Sequence, residues 1–147
     1  MIFGKKAVPP SYPVELPEAE WRSKLSPAAY RVLREHGTER AGTSPLNAEK
    51  RPGVFCCAGC GTPAFPSDAK FESGTGWPSF TSPIGSNVGE SEDSSFFMRR
   101  TEVHCAVCGG HLGHVFPDGP APTGLRYCIN GLALEFKPEN EDSESSP

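Results

Sequence analysis

A mainly β fold built of short strands, with short helices confined to the N-terminal part, is what this sequence predicts. The chain of 147 residues carries 16 glycines and 16 prolines, which interrupt it too often for long helices. Nine phenylalanines with few aliphatic runs suit turns and short strands. The marked helix signals all precede Thr38, whereas from Gly53 onward the segments are short and β-like. The length suits one domain with a modest core.

Residues 1–15 contain Pro9, Pro10 and Pro13 and are expected to form an extended arm. Pro17 opens a first helix with Trp21 and Leu25 four residues apart, so both face the same side. A second helix is capped by Ser26, begins at Pro27, aligns Tyr30 with Leu33 and stops at Gly37. Thr38 to Pro52 is polar and reads as a loop leading into the first cysteine pair. Strands are expected near Gly53 to Cys56, Thr81 to Ile84, Ser95 to Arg100, Thr101 to Cys105, His114 to Phe116, Leu125 to Ile129 and Ala133 to Phe136. Glycine-rich turns at 73–76, Gly109-Gly110 and 118–120 separate some of them. The domain is expected to span residues 16–137, and residues 138–147 read as an acidic, serine-rich, disordered tail.

Composition removes several classes of function. No stretch approaches the roughly 20 apolar residues of a membrane span. The first ten residues lack the apolar core of a secretory signal, which points to a reducing, cytoplasmic setting. The net charge of −4 arises from Glu139, Glu141, Asp142 and Glu144 in the tail, and up to Lys137 acids and bases balance. That balance offers nothing to attract nucleic acid or an anionic membrane.

Two copies of C-A-x-C-G stand out, Cys57-Ala58-Gly59-Cys60-Gly61 and Cys105-Ala106-Val107-Cys108-Gly109. A two-residue spacing lets both thiolates of a pair point at one ion, and the following glycine eases the tight turn this needs. Two such knuckles make a four-sulfur site for one zinc ion; two disulfides or four unrelated thiols are the alternative. Four thiolates leave no position for water, so such a zinc is structural.

Cys56 and Cys128 are left over. Cys128 lies in Gly124-Leu125-Arg126-Tyr127-Cys128-Ile129-Asn130, a strand-like run whose alternation puts Arg126, Cys128 and Asn130 on one face and Leu125, Tyr127 and Ile129 on the other. A guanidinium one alternation away favours a thiolate, which describes an activated cysteine; a small buried hydrophobe is the competing reading. Upstream lie His111 and His114, which can be metal ligands, acid/base groups or ordinary hydrogen-bonding residues. On a regular strand they face opposite ways, although Gly113 permits a bend. The run Phe71-Glu72-Ser73-Gly74-Thr75-Gly76-Trp77-Pro78-Ser79-Phe80 lacks the lysine of a phosphate loop. It either presents Trp77 and Phe80 to a shallow apolar pocket or buries Trp77 in the core.

Taken together, these residues resemble the methionine-R-sulfoxide reductases of the MsrB family. The likeness rests on CAGCG at 57–61, FESGTGWPSF at 71–80, Arg100-Thr101-Glu102-Val103 with Cys105 and Cys108, HLGHVFPDG at 111–119 and GLRYCIN at 124–130, and it covers about Leu16 to Lys137. It implies a compact antiparallel β fold with a structural zinc, and reduction of the R epimer of methionine sulfoxide in proteins or peptides. By position Cys128 resembles the nucleophile, flanked by Arg126 and Asn130. His111 and His114 resemble the histidines that bind and protonate the sulfoxide oxygen, supported by Asp118. Trp77 resembles the ring that receives the substrate methyl, with Phe80 beside it. Attack on the sulfoxide sulfur leaves Cys128 as a sulfenic acid, which a thiol must reduce.

Where many members carry a resolving cysteine, this chain has Thr75. Either an external thiol, thioredoxin or another reductant, regenerates Cys128, or Cys56 does so from an unusual position; the external thiol is favoured. A monomer is expected. The rival readings are a zinc-ribbon binding module, in which Cys128 is incidental, and a zinc-dependent thiol lyase, which needs an open metal position.

Overall fold

The computed structural model describes residues 12–94 and 99–139 of the chain. Among the described residues two helices, α1 (Glu18–Lys24) and α2 (Pro27–Glu35), precede nine strands: β1 (Gly53–Cys57), β2 (Pro63–Pro66), β3 (Lys70–Phe71), β4 (Ser79–Phe80), β5 (Val88–Asp93), β6 (Arg100–Cys105), β7 (His111–Phe116), β8 (Arg126–Ile129) and β9 (Leu134–Pro138). They form a three-stranded sheet, β2-β1-β9, and a six-stranded sheet, β3-β4-β8-β7-β6-β5. Every strand pair is antiparallel, as the family resemblance implies.

The core lies where the two sheets meet, and aromatic rings fill it. Phe80 of the larger sheet stacks on Phe65 of the smaller at 4.5 Å and meets Phe55 edge-on at 5.0 Å, while Phe65 contacts Tyr127 at 5.7 Å. Val103, Leu112 and Ile129 complete the apolar face of the larger sheet. Each fully buried side chain of this kind contributes about 1.5–3 kcal/mol. Phe80, expected in a pocket, is therefore a core residue with no exposure.

The helices begin and end as the sequence signals require, with one difference. Ser26 accepts from the Ala29 amide and Pro27 opens α2. The helix stops at Glu35, and His36 rather than Gly37 takes the left-handed conformation, with φ 57°. Trp21 and Leu33 are buried; Arg34 lies over the Trp21 ring at 4.5 Å and donates to the Cys108 carbonyl at 3.0 Å, which anchors the helices to the second cysteine knuckle.

Thr81 to Ile84, expected as a strand, is a bend. Only Ser79 and Phe80 pair with β8, and beyond them Pro83 has no amide to donate while Ile84 and Asn87 enter a turn. β2, β3 and β5 had no clear signal: the first two are very short, and β5 is a polar edge strand (VGESED) without an apolar alternation. Most of the strand expected over residues 95–100 lies outside the described residues, as do residues 1–11 of the arm and 140–147 of the tail. Tyr12 to Leu16 bend at Pro13 and form no helix or strand, and the Val14 amide bonds to Val107 O at 2.9 Å.

One irregularity positions the site. Between β6 and β7, Val103 pairs with Gly113 and His104 with His111, so Leu112 is an extra residue with no partner of its own. Such a bulge slips the alternation by one. Gly113 sits against β8 so closely that a Cβ there would collide with the Cys128 carbonyl and the Ile129 backbone, which is why glycine is required.

Candidate active site

The four knuckle cysteines converge. β1 ends at Cys57 and β6 ends at Cys105, and each strand turns back through a glycine with positive φ, Gly61 at 84° and Gly109 at 77°. Cys57 Sγ lies 3.7 Å from Cys108 Sγ, and Cys60 Sγ lies 3.6 Å from Cys105 Sγ. Sulfurs bonded to each other stand about 2.05 Å apart, so these are free thiols and not disulfides. A regular tetrahedron with metal–sulfur bonds of about 2.3 Å has edges of about 3.8 Å, which the observed separations match. The four residues can therefore hold one tetrahedral metal ion between the two sheets, with all positions taken by protein.

The second grouping is a row across the larger sheet. Cys128 of β8 pairs with Ser79 of β4 on one side and with His114 of β7 on the other; His114 pairs with Glu102 of β6, and Glu102 with Ser91 of β5. Residues directly opposite in antiparallel strands put their Cβ atoms about 4.5–5.5 Å apart on the same face. Thiol, imidazole and carboxylate are thus lined up by backbone pairing alone. The bulge at Leu112 turns His111 onto this side as well, and its ring centroid is 5.5 Å from that of His114. Both histidines share one face, which a regular strand would have forbidden.

Glu102 is the hub of the row. Its Oε2 accepts from His111 Nδ1 at 2.9 Å and lies 3.4 Å from His36 Nε2; its Oε1 accepts from Ser91 at 2.5 Å and lies 3.3 Å from His104 Nδ1. Burial alone would raise the carboxyl, but the bonds from His104, His111, His36 and Ser91 outweigh it and hold Glu102 well below the usual carboxylate range. His114 Nε2 bonds to Asp93 Oδ2 at 2.9 Å. Burial pushes the His114 imidazole down more strongly than Asp93 pulls it up, and Arg100 and His111 add to the decrease. These groups line a cavity of about 420 Å³ walled by His36, Asp93, Arg100, Glu102, His111 and His114.

Residues 25–138 match the SelR domain. The chain belongs to the SelR domain family. The peptide methionine sulfoxide reductase MsrB of Bradyrhizobium diazoefficiens is 58% identical to it over 123 residues, 83% of this chain and 88% of that protein. The MsrB of Methanosarcina barkeri is 56% identical over 132 residues, 89% of this chain and 93% of the relative. Peptide methionine sulfoxide reductase B1, chloroplastic, of rice (Oryza sativa subsp. japonica) is 54% identical over 129 residues, 87% of this chain and 60% of the longer relative.

In this SelR domain the residues singled out from sequence divide into two groups. Arg126 lies near Cys128 and favours its thiolate, as the alternation implies. Asp118, by contrast, bonds to neither histidine. It grips Arg126 through paired contacts of 2.9 and 3.1 Å, and the guanidinium also lies over Phe116 at 4.6 Å. The carboxylates beside the histidines are Glu102 and Asp93, which sequence reasoning missed. Glu102 lies within Arg100-Thr101-Glu102-Val103, yet only the β6–β7 register reveals where it points. Asn130 is buried just beyond β8: its Oδ1 accepts from the Glu39 amide at 2.9 Å and its Nδ2 donates to Leu112 O at 3.0 Å. Its amide is committed to backbone and clamps the 38–52 loop to β7 beside His111.

Trp77 is half-buried, and its Nε1 donates to Glu39 O at 3.0 Å. Its loop is stitched to β8 next to Cys128, because Pro78 O accepts from the Ile129 amide at 2.9 Å. Thr75 contacts the Cys128 sulfur and continues through Ser73 at 2.8 Å to Ser79 at 2.7 Å. A hydroxyl therefore meets the sulfur. Cys56, 3% exposed, lies on β1 of the other sheet, and burial pushes its thiol up.

Burial also pushes the Cys128 thiol up, and it prevails over the opposing pull of Arg126 and Thr75. The resting sulfur is thus protonated more firmly than an ordinary thiol, contrary to the expectation from Arg126 alone. Alkylation of Cys128 in the substrate-free protein, followed against pH, should titrate above the ordinary thiol value. Arg126→Met removes a group that lowers this value, so the midpoint should move further up and the rate at fixed alkaline pH should fall several-fold. A midpoint that stays put or moves down would contradict this balance.

Proposed function

We propose that this SelR domain reduces the R epimer of methionine sulfoxide in peptides and proteins to methionine, with Cys128 as nucleophile and His111 and His114 as the groups that bind and protonate the departing oxygen. One observation carries the reading: the Cys128 thiol stands in register beside His114, with His111 turned onto the same side by the bulge. The relatives' names supply the substrate class.

A partly buried thiol next to a neutral imidazole has the same number of protons as a thiolate next to an imidazolium. Transfer of the Cys128 proton to the histidine pair therefore arms the nucleophile and creates the acid together. The Cys128 sulfur attacks the sulfoxide sulfur and bonds to it, the oxygen takes the proton, and the S–O bond breaks as the hydroxyl passes to the Cys128 sulfur; the S–S bond then breaks and methionine leaves, so the substrate sulfur is reduced by two electrons and Cys128 is oxidised by two to a sulfenic acid. Arg126, held by Asp118, favours the thiolate. Trp77 offers an indole face to the methyl group, and Asn130 keeps the loop and β7 in place behind the histidines.

Regeneration falls to an external thiol, thioredoxin or a small-molecule reductant, in a reducing compartment such as the cytoplasm, and the unit is a monomer. One equivalent of thiol releases water and leaves a mixed disulfide on Cys128; a second restores the thiol. Thr75 at the family's resolving position cannot form a disulfide, and Cys56 belongs to the other sheet and is buried.

The four-sulfur cluster holds one structural zinc. Its saturated ligand set argues against a zinc-dependent lyase, and the Cys128 row argues against a zinc-ribbon binding module.

With separated epimers of a methionine-sulfoxide peptide, the wild type should turn over R and leave S, and Cys128→Ser should lose activity entirely; turnover of S, or activity in Cys128→Ser, sinks the assignment. Cys56→Ala should keep multiple turnover with thioredoxin or dithiothreitol, whereas arrest after one turnover would make Cys56 the resolving residue. Strong chelation, or Cys105→Ser, should destabilise the fold by more than about 4 kcal/mol and abolish cooperative unfolding. A metal-free Cys105→Ser protein melting like the wild type would refute a structural zinc.

A further inference from the structure

The cavity walled by His111 and His114 carries a second constellation of donor atoms, separate from the four sulfurs. His36, Glu102 and His111 place one ligand atom each within 4.8 Å of one another. We propose that these three residues form a reversible binding site for a borderline divalent transition-metal ion of the Ni²⁺, Co²⁺ or Zn²⁺ class, and that its occupation shuts off turnover. The second half rests on the role proposed above for His111; the first does not.

The separations fit a coordination shell. His111 Nδ1 and His36 Nε2 lie 2.9 and 3.4 Å from the same carboxylate oxygen, Glu102 Oε2. With metal–nitrogen and metal–oxygen bonds of about 2.0–2.1 Å, neighbouring ligands stand about 2.9 Å apart in an octahedron and about 3.4 Å apart in a tetrahedron. Two imidazoles and one carboxylate suit this class of ion, and water can complete the shell from the cavity of about 420 Å³.

The surroundings are arranged as metal sites require. Ser91 and the His104 ring hold the other oxygen of Glu102 at 2.5 and 3.3 Å, which fixes the carboxylate as a one-oxygen ligand. His36 is the exposed member, two-thirds accessible, and gives the ion a way in. Its backbone has φ 57°, a left-handed conformation that glycine adopts freely and other residues only under strain, although Gly37 follows immediately. There its ring lies against that of His111, centroids 4.9 Å apart and planes tilted 31°. An ion bound here replaces the His111–Glu102 hydrogen bond and occupies the wall that the sulfoxide oxygen would approach.

Titration calorimetry of Ni²⁺ into the metal-loaded Cys128→Ser protein removes the reactive thiol as a competing ligand. One Ni²⁺ per chain should bind, and the exposed-site variant His36→Ala should weaken it at least tenfold while melting like its parent. Glu102→Gln should weaken it further, and nickel should broaden the imidazole proton signals of His36 and His111 in the NMR spectrum. No binding, or binding indifferent to His36→Ala, overturns the site. In the wild type, Ni²⁺ should inhibit turnover reversibly, with the inhibitory concentration raised at least tenfold by His36→Ala. Binding that obeys the variants without inhibition would uphold the site and refute the shut-off.

Discussion

The register of β6, β7 and β8 is the constraint on which the rest depends. Antiparallel pairing sets Glu102 opposite His114 and His114 opposite Cys128, so the chemistry-bearing side chains form a line no loop has to hold together. A slip of one residue would turn the thiol toward the aromatic core and Ile129 onto the polar face. Two local features make the arrangement possible. The unpaired Leu112 brings His111 onto the polar side, and Gly113 lets β7 and β8 approach where a side chain would collide with the Cys128 carbonyl.

A sheet with one apolar and one polar face needs both to be satisfied. The apolar face is met by the smaller sheet through Phe55 and Phe65, whose rings meet Phe80 and Tyr127. The polar face is organised by a largely buried carboxylate, which is costly unless paired. Glu102 is bonded to two histidines and a serine and lies within reach of a third histidine, so its desolvation is offset and the cavity wall is held in one shape. The four sulfurs bring the end of β1 beside the end of β6, where a bound ion would tie the two sheets together.

The electrostatics at Cys128 balance reactivity against protection. Burial keeps the resting thiol protonated, while Arg126 and the Thr75 hydroxyl work against it without prevailing. Burial likewise keeps His114 below its ordinary value. The thiol and the imidazole thus rest in their neutral forms, and one proton passed between them produces the charged pair. Such a sulfur is quiet toward stray oxidants and electrophiles.

Much of this protein was legible in its sequence. Helix caps at Ser26 and Pro27, the paired C-A-x-C-G knuckles with their turn glycines, and the alternation around Cys128 are all local patterns, set by sterics and by the geometry of neighbouring residues. Local pattern also misleads in places: it directs Asp118 toward histidines it does not touch, Phe80 toward a pocket although it is a core residue, and Thr81 to Ile84 into a strand where the chain bends. What only the tertiary structure decided is which side chains meet across strands. Glu102, Asp93, His36 and Thr75 reach the site from segments far apart in the chain, and their convergence depends on register, on one extra residue in β7 and on the direction in which α2 ends. Side-chain direction along a strand is a matter of local chemistry; the choice of partner strand and its offset depends on burying two faces at once, which no stretch of sequence encodes alone.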